Sequence, residues 1–261
     1  MTLSPRSSAN EPSSVKPLDP TIGQATVKLW DCHTHSSEPA PEAIRSYSYD
    51  DWSELTASPS PVQLASIGLH PWHLPECASP SAVITQMEQL FARQPRIVAL
   101  GECGIDKLRS NASRSQQLTW LESQMRLACQ LRRPIVLHVV RAWPEMIAMR
   151  EQMDRSFDQL PPMVLHAFRA GQGVAQMMLR AGFALSFGHY YNIESLRLAH
   201  EAGRLLVETD EVPCDLTYRK AIEENYRQLA SALALTPESL AHQVAETPFW
   251  VEVHRQRPAS S

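Results

Sequence analysis

Nowhere does the chain hold a run of about 18 or more apolar residues, so no segment has the length of a membrane-spanning helix. Its first residues lack an apolar core, and a secretory signal is not expected. The five cysteines form no CxxC framework, and Cys32 and Cys103 fall inside clusters of metal-type ligands. A disulfide scaffold is therefore not expected, and a reducing cytoplasm is the simplest setting. Basic residues are not in surplus: 24 Lys and Arg stand against 28 Asp and Glu, for a net charge of -4. The isoelectric point near 6.2 speaks against a strong, sequence-independent grip on duplex nucleic acid. It leaves room for a small phosphate-bearing substrate, because a bound divalent cation brings its own positive charge. There is no internal repeat.

What is present fits one α/β domain with a sizeable core: 261 residues, 43% hydrophobic and 20% charged. Residues 1–25 are rich in Ser and Pro and read as a disordered tail. Residues 26–255 read as a single barrel domain and 256–261 as a flexible end. Strand-like runs at Ala43–Tyr49 and Gln63–His70 are joined by a segment too short and too rich in Pro and Ser for a normal crossover helix. Strands and helices then alternate. The apolar stripe Val83, Ile84, Met87, Leu90, Phe91 has Ser79 or Ser81 as its cap, and Leu118, Leu121, Met125, Ala128 form the next stripe. Helices follow near Trp143–Met153, Gly173–Arg180 and Ile193–Ala202, and two more from Tyr218 and from Thr236 onward. This alternation implies a parallel sheet.

The chemistry sits at the ends of the strands. Lys28-Leu29-Trp30 leads into Asp31-Cys32-His33-Thr34-His35, and Ile97 to Leu100 leads into Gly101-Glu102-Cys103-Gly104-Ile105-Asp106. Further apolar runs end on His138, on His166 and on Glu208-Thr209-Asp210. A single such His is more often a hydrogen-bonded core residue than a ligand. The ordered set is what a metal site at the C-terminal mouth of a parallel barrel requires. Two cations held close together repel and need a bridging anion, and Glu102 is the candidate bridge. His33 and His35 share strand parity and point the same way. With Asp210 they would hold one ion, while His138 and His166 would hold the other. Glu208 has the parity of Asp210 and reads as a partner of a ligand rather than a ligand.

These stretches, with Gly68-Leu69-His70-Pro71 and His166-Ala167-Phe168, resemble the TatD family of metal-dependent hydrolases over about residues 28–213. The resemblance implies a distorted TIM-like barrel, two divalent ions (Zn²⁺, Mn²⁺ or Mg²⁺) and phosphodiesterase chemistry, usually on DNA. It assigns His33, His35, Glu102 and Asp210 to one ion, Glu102, His138 and His166 to the other, and His70 to the substrate phosphate. Asp210 and Glu102 are then the catalytic acids. The chain departs from the family pattern in four places. Only 35 residues separate His35 from His70, so early crossover helices are shortened or missing. Lys107-Leu108 replaces aromatics, His166-Ala167-Phe168-Arg169-Ala170 replaces His-Cys-Phe-Ser-Gly, and Glu246-Thr247-Pro248-Phe249-Trp250 replaces an Asn-Arg end.

Arg169, Lys107 and Arg141 follow ligand strands and are candidates for phosphate contact, with plain solvated charge as the alternative. Trp72, Tyr190 and Tyr191 are candidates for base stacking or for packing, and His73 and His189 for the mouth or the surface. The expected partner is a short or single-stranded DNA, acted on by a cytoplasmic monomer without membrane contact. A barrel hydrolase of another ester, lactone or amide, and a non-catalytic metal-binding protein, remain as alternatives.

Overall fold

The apolar runs before the ligand motifs are strands buried on both faces, and together they make one eight-stranded parallel sheet in chain order. The computed structural model describes residues 27–57, 63–75 and 79–257. The strands are β1 (Asp31–Thr34), β2 (Ala43–Tyr47), β3 (Leu64–Ile67), β4 (Ile97–Asp106), β5 (Ile135–Val140), β6 (Met163–Leu165), β7 (Ala184–Phe187) and β8 (Leu205–Val207). The ring closes just beyond β8. Thr34 and Asp210 form a parallel bridge, His35 N donates to Asp210 O at 2.9 Å and Asp210 N to His33 O at 3.0 Å. The result is the TIM-like barrel that the alternation predicts.

The helices around it are α1 (Trp52–Ala57), α2 (Pro80–Arg93), α3 (Arg114–Leu131), α4 (Trp143–Asp154), α5 (Gln172–Arg180), α6 (Ile193–Glu201), α7 (Tyr218–Ala232), α8 (Pro237–Ala245) and α9 (Pro248–Gln256). Their boundaries follow local chemistry. Ser79, Thr217 and Thr236 accept backbone N–H bonds as N-caps. Ser113 and Gln116 form a reciprocal capping box on α3. None of the described helices is long and apolar enough to cross a membrane.

The trimmed start of the barrel is real, with one amendment. No helix joins β1 to β2. Between β2 and β3, however, a single 3-10 turn (Tyr49–Asp51) runs into the six-residue α1. A helix that short is unstable alone, but Trp52 and Leu55 are buried at 3% and 0% exposure. At roughly 1.5–3 kcal/mol for each such side chain, burial decides the matter. Leu55 O also accepts from Arg96 Nη2 at 2.7 Å. The end of the chain differs too. The segment expected to run on from Thr236 breaks at Thr247-Pro248, where Pro248 opens α9 and buries Phe249 and Trp250. Trp250 packs 4.8 Å from Trp30 beneath the start of β1, so the departure from the family's usual ending serves the barrel floor. Arg257, just past α9, donates to Pro41 O at 2.8 Å. The tail expected over 1–25 and residues 258–261 lie outside the described residues.

Candidate metal centre

Glu102 organises the mouth of the barrel. It sits inside β4, and its two carboxylate oxygens face different histidines. Oε2 lies 3.4 Å from His33 Nε2 and 3.5 Å from His35 Nε2. Oε1 lies 2.7 Å from His166 Nε2, 2.9 Å from His138 Nδ1 and 3.1 Å from His70 Nε2. Asp210 Oδ1 completes the first group, 3.6 Å from His33 Nε2 and 3.8 Å from His35 Nε2. The left-handed backbone of Asp210 (φ 55°) turns its side chain back into the mouth. Three overlapping triads, His33–His35–Glu102, His70–Glu102–His138 and His33–His166–Asp210, keep their donor atoms within 4.8 Å of one another. All six expected ligands therefore converge. His70, expected at the substrate, also comes within ligand distance.

The donor set fits divalent cations. Both ring nitrogens of His33 and Nδ1 of His166 are buried without a hydrogen-bond partner among the described residues. Buried polar atoms are seldom left so, and a cation at the mouth would satisfy the inward Nε2 of His33. The charges agree. Burial alone would raise the pKa of Glu102, but the charge of His166 and hydrogen bonds from His138, His166 and His33 hold it well below the carboxylate range. Burial opposes charge on His33, yet the carboxylates of Asp210 and Glu102 beside it push it well above the usual imidazole value. Asp210 is likewise driven down, mainly by His33 against the cost of burial. Glu208 goes the other way, raised by burial and by the neighbouring charge of Asp210. Its Oε1 accepts from Ala167 N at 2.6 Å and lies 4.0 Å from His166 Nδ1, behind the ligand.

Two supporting carboxylates had no role assigned from the sequence. Asp106 ends β4, four residues after Glu102 and on the same face. Its Oδ2 lies 3.2 Å from His138 Nε2 and accepts from Trp72 Nε1 at 2.6 Å, while Oδ1 accepts from Leu108 N and Arg109 N at 2.7 and 3.0 Å. With Nε2 of His138 held there, Nδ1 is the nitrogen turned toward Glu102. Strand parity alone was the available signal. Gly104 lies between the two acids because a Cβ there would overlap the backbone carbonyl of His138. Asp31 holds the seam: it accepts from Thr209 Oγ1 at 2.7 Å, and from Thr209 N and His33 N. Burial pushes its carboxyl up to about 6. A sheet seam cannot be read from one strand, so its role was invisible in sequence.

The other candidates separate cleanly. Trp72 and the exposed His73 line the cavity of about 320 Å³ over the ligands, together with Ser46 and Ser48. Arg169, His189 and Tyr190 line a second cavity of about 500 Å³, which meets the first at Asp210 and Glu211. Lys107 faces neither: its ammonium pairs with Glu145, which also takes Arg114. Arg141 is exposed and lines neither cavity, and Tyr191 packs partly buried against the core. The four described cysteines are free, three of them buried.

Known proteins resemble this chain over most of its described length. The sequence profile described as TatD related DNase matches residues 29–249. The 3'-5' ssDNA/RNA exonuclease TatD of Citrobacter koseri is 31% identical over 172 residues, covering 62% of this chain and 64% of that protein. Its counterpart from Klebsiella pneumoniae is 28% identical over 196 residues, covering 71% and 68%. The chain thus spans about two thirds of the length of these relatives. A solved TatD homologue from Escherichia coli K12 superimposes with a TM-score of 0.71 at 19% identity, covering 86% of this chain and 98% of that one, which supports the fold. The profile match runs from just ahead of β1 into α9, and on that ground the chain belongs to the TatD related DNase family.

Proposed function

We propose that the protein is a metal-dependent phosphodiesterase acting on short single-stranded nucleic acid at the mouth of its barrel. The observation that carries this reading is the division of Glu102, one oxygen toward His33 and His35 and the other toward His138, His166 and His70. Such a carboxylate is built to bridge two divalent ions. His33, His35 and Asp210 would hold one with Glu102, and His138 and His166 the other. Imidazole and carboxylate donors in this mix suit Zn²⁺ or Mn²⁺, with Mg²⁺ needing more water. Ions held there supply Lewis-acid activation of water and neutralise charge on a phosphate.

The chain's own groups do the rest. Asp210 is held deprotonated, so its carboxylate is ready to take a cation and to orient a water by accepting its hydrogen bond. His70 is partly buried, and burial lowers its pKa, so it stays neutral and able to hydrogen-bond a phosphate oxygen. The Trp72 indole is fixed at its N–H by Asp106 and offers a rigid wall for a base. The relatives named as ssDNA/RNA exonucleases support a single strand as substrate. The acidic balance of the chain favours short strands over long duplexes.

Elemental analysis of the purified protein, then chelation and add-back of Zn²⁺, Mn²⁺ or Mg²⁺ in an assay on a short end-labelled single strand, tests this. Two ions per chain and metal-restored cleavage are expected, and Glu102→Gln should lose both together. Full activity in that variant, or turnover of a lactone or amide in preference to the strand, would overturn it.

A further inference from the structure

We propose that the larger cavity beside the metal cluster is a nucleotide subsite, in which Arg169 holds a phosphate and Tyr190 stacks a base. It rests on the reading above, and it adds how the substrate strand is gripped beyond the scissile bond. At about 500 Å³ the cavity has the size of a small-ligand site, and Asp210 and Glu211 line both it and the ligand cavity. A strand gripped at both would cross those two residues.

The placement of Arg169 is built. It follows ligand His166 by three residues, on a turn pinned at four points. Ala167 takes the left-handed conformation and donates to Glu208. Phe168 is buried between Trp143 and Phe187, and its N–H donates to Ser186 O at 3.0 Å. Ser195 Oγ donates to Ala170 O at 2.7 Å. From this turn the guanidinium projects over the ring of Tyr190, 5.2 Å from its centroid. Tyr190 is 64% exposed, and the guanidinium has no carboxylate partner among the described residues. An aromatic face topped by a free cation is the combination that binds unpaired nucleotides.

Charge then fixes the orientation. Arg169 is the only Arg or Lys among the residues lining the cavity, whose acids are Glu208, Asp210, Glu211 and Glu224. Glu208 is engaged by Ala167 N, and Glu224 by Arg227 and Gln228. Among the described lining residues, Arg169 is the side chain that carries a permanent positive charge to a phosphate. A base on the exposed Tyr190 ring shares the cavity with the apolar Val212, Pro213 and Leu216. The arginine is this chain's own, standing where the family pattern has a small residue.

The test compares Arg169→Ala, Tyr190→Ala and Tyr190→Phe in the metal-loaded protein. Binding of a fluorescein-labelled, cleavage-resistant phosphorothioate oligothymidylate is read by anisotropy across a salt series. Kinetics are read on oligothymidylate and on bis(4-nitrophenyl) phosphate, which has neither a second phosphate nor a nucleobase. Each Ala variant should weaken binding and raise KM for the oligonucleotide by about tenfold or more. Its loss on the small diester should be at least about tenfold less. Arg169→Ala alone should lower the salt slope, by about 0.7 for one phosphate contact, while Tyr190→Phe should bind within about twofold of wild type. Unchanged binding in both Ala variants, or equal losses on both substrates, would overturn the subsite. If the wild type cleaves neither diester, the phosphodiesterase reading fails, and the anisotropy series still decides the subsite.

Discussion

The substitution Asp106→Asn changes one atom of the mouth and sets four donors against each other. The carboxylate now gives Oδ1 to Leu108 N and Arg109 N, and Oδ2 to Trp72 Nε1 and His138 Nε2. An Asn that keeps the turn places its NH₂ against the indole N–H at a site where only an acceptor fits. The flipped Asn loses the turn instead. Either way two hydrogen bonds to a charged acceptor go, each worth roughly 1.5–3 kcal/mol. His138 is no longer fixed with Nδ1 inward. Loss of such a supporting partner weakens metal binding by about 10- to 100-fold, or roughly 1.4–2.7 kcal/mol. The weakening should fall on the ion held by Glu102, His138 and His166. The ion at His33, His35 and Asp210, which Asp106 does not touch, should weaken less, by only what the shared Glu102 transmits. Competition against a chromophoric chelator, resolving two equivalents, measures both. Two unchanged affinities, or two affinities lost in equal measure, would refute the positioning of His138 by Asp106.

Metal uptake should also release protons. The His33 pKa is raised well above its ordinary value in the metal-free cluster, so near pH 7 a cation reaching Nε2 displaces a proton. Affinity should then fall as pH drops and rise as it increases, with about one proton freed per ion at this position. Titration calorimetry in buffers of different ionisation enthalpy checks this, and a buffer-independent heat with pH-independent affinity would contradict it. Gly104→Ala should destabilise the fold by about 3 kcal/mol or more, because a Cβ there overlaps the His138 carbonyl on a buried strand pair. An unchanged denaturation midpoint would count against that close approach.

Much of this architecture was legible because parallel strands bury both faces. Such strands read as unbroken apolar runs, so the residue ending each run marks the mouth. His138, His166 and Asp210 were found that way, and Glu102 from the acid after Leu100. What escaped notice depends on partners distant in sequence. Asp31 matters because Thr209 comes to it across the closure, 178 positions away. Lys107 follows a ligand strand as a phosphate contact should, but Glu145 on α4 takes its charge first. Helix α1 was hidden by its length and surrounding Pro and Ser, since only tertiary burial of Trp52 and Leu55 sustains it. The start of α9 is written in Thr247-Pro248, a helix-opening pair that also departs from the family pattern.

The closure of the ring bears on more than shape. The backbone bonds that join the first stave to the last belong to His33, His35 and Asp210, the same residues whose side chains converge at the mouth. An ion captured there would be a clasp across the join. Its release would unlatch the cylinder where a two-bond bridge stands in for a full ladder. Resistance to unfolding and readiness to react would then be tied to one and the same ion.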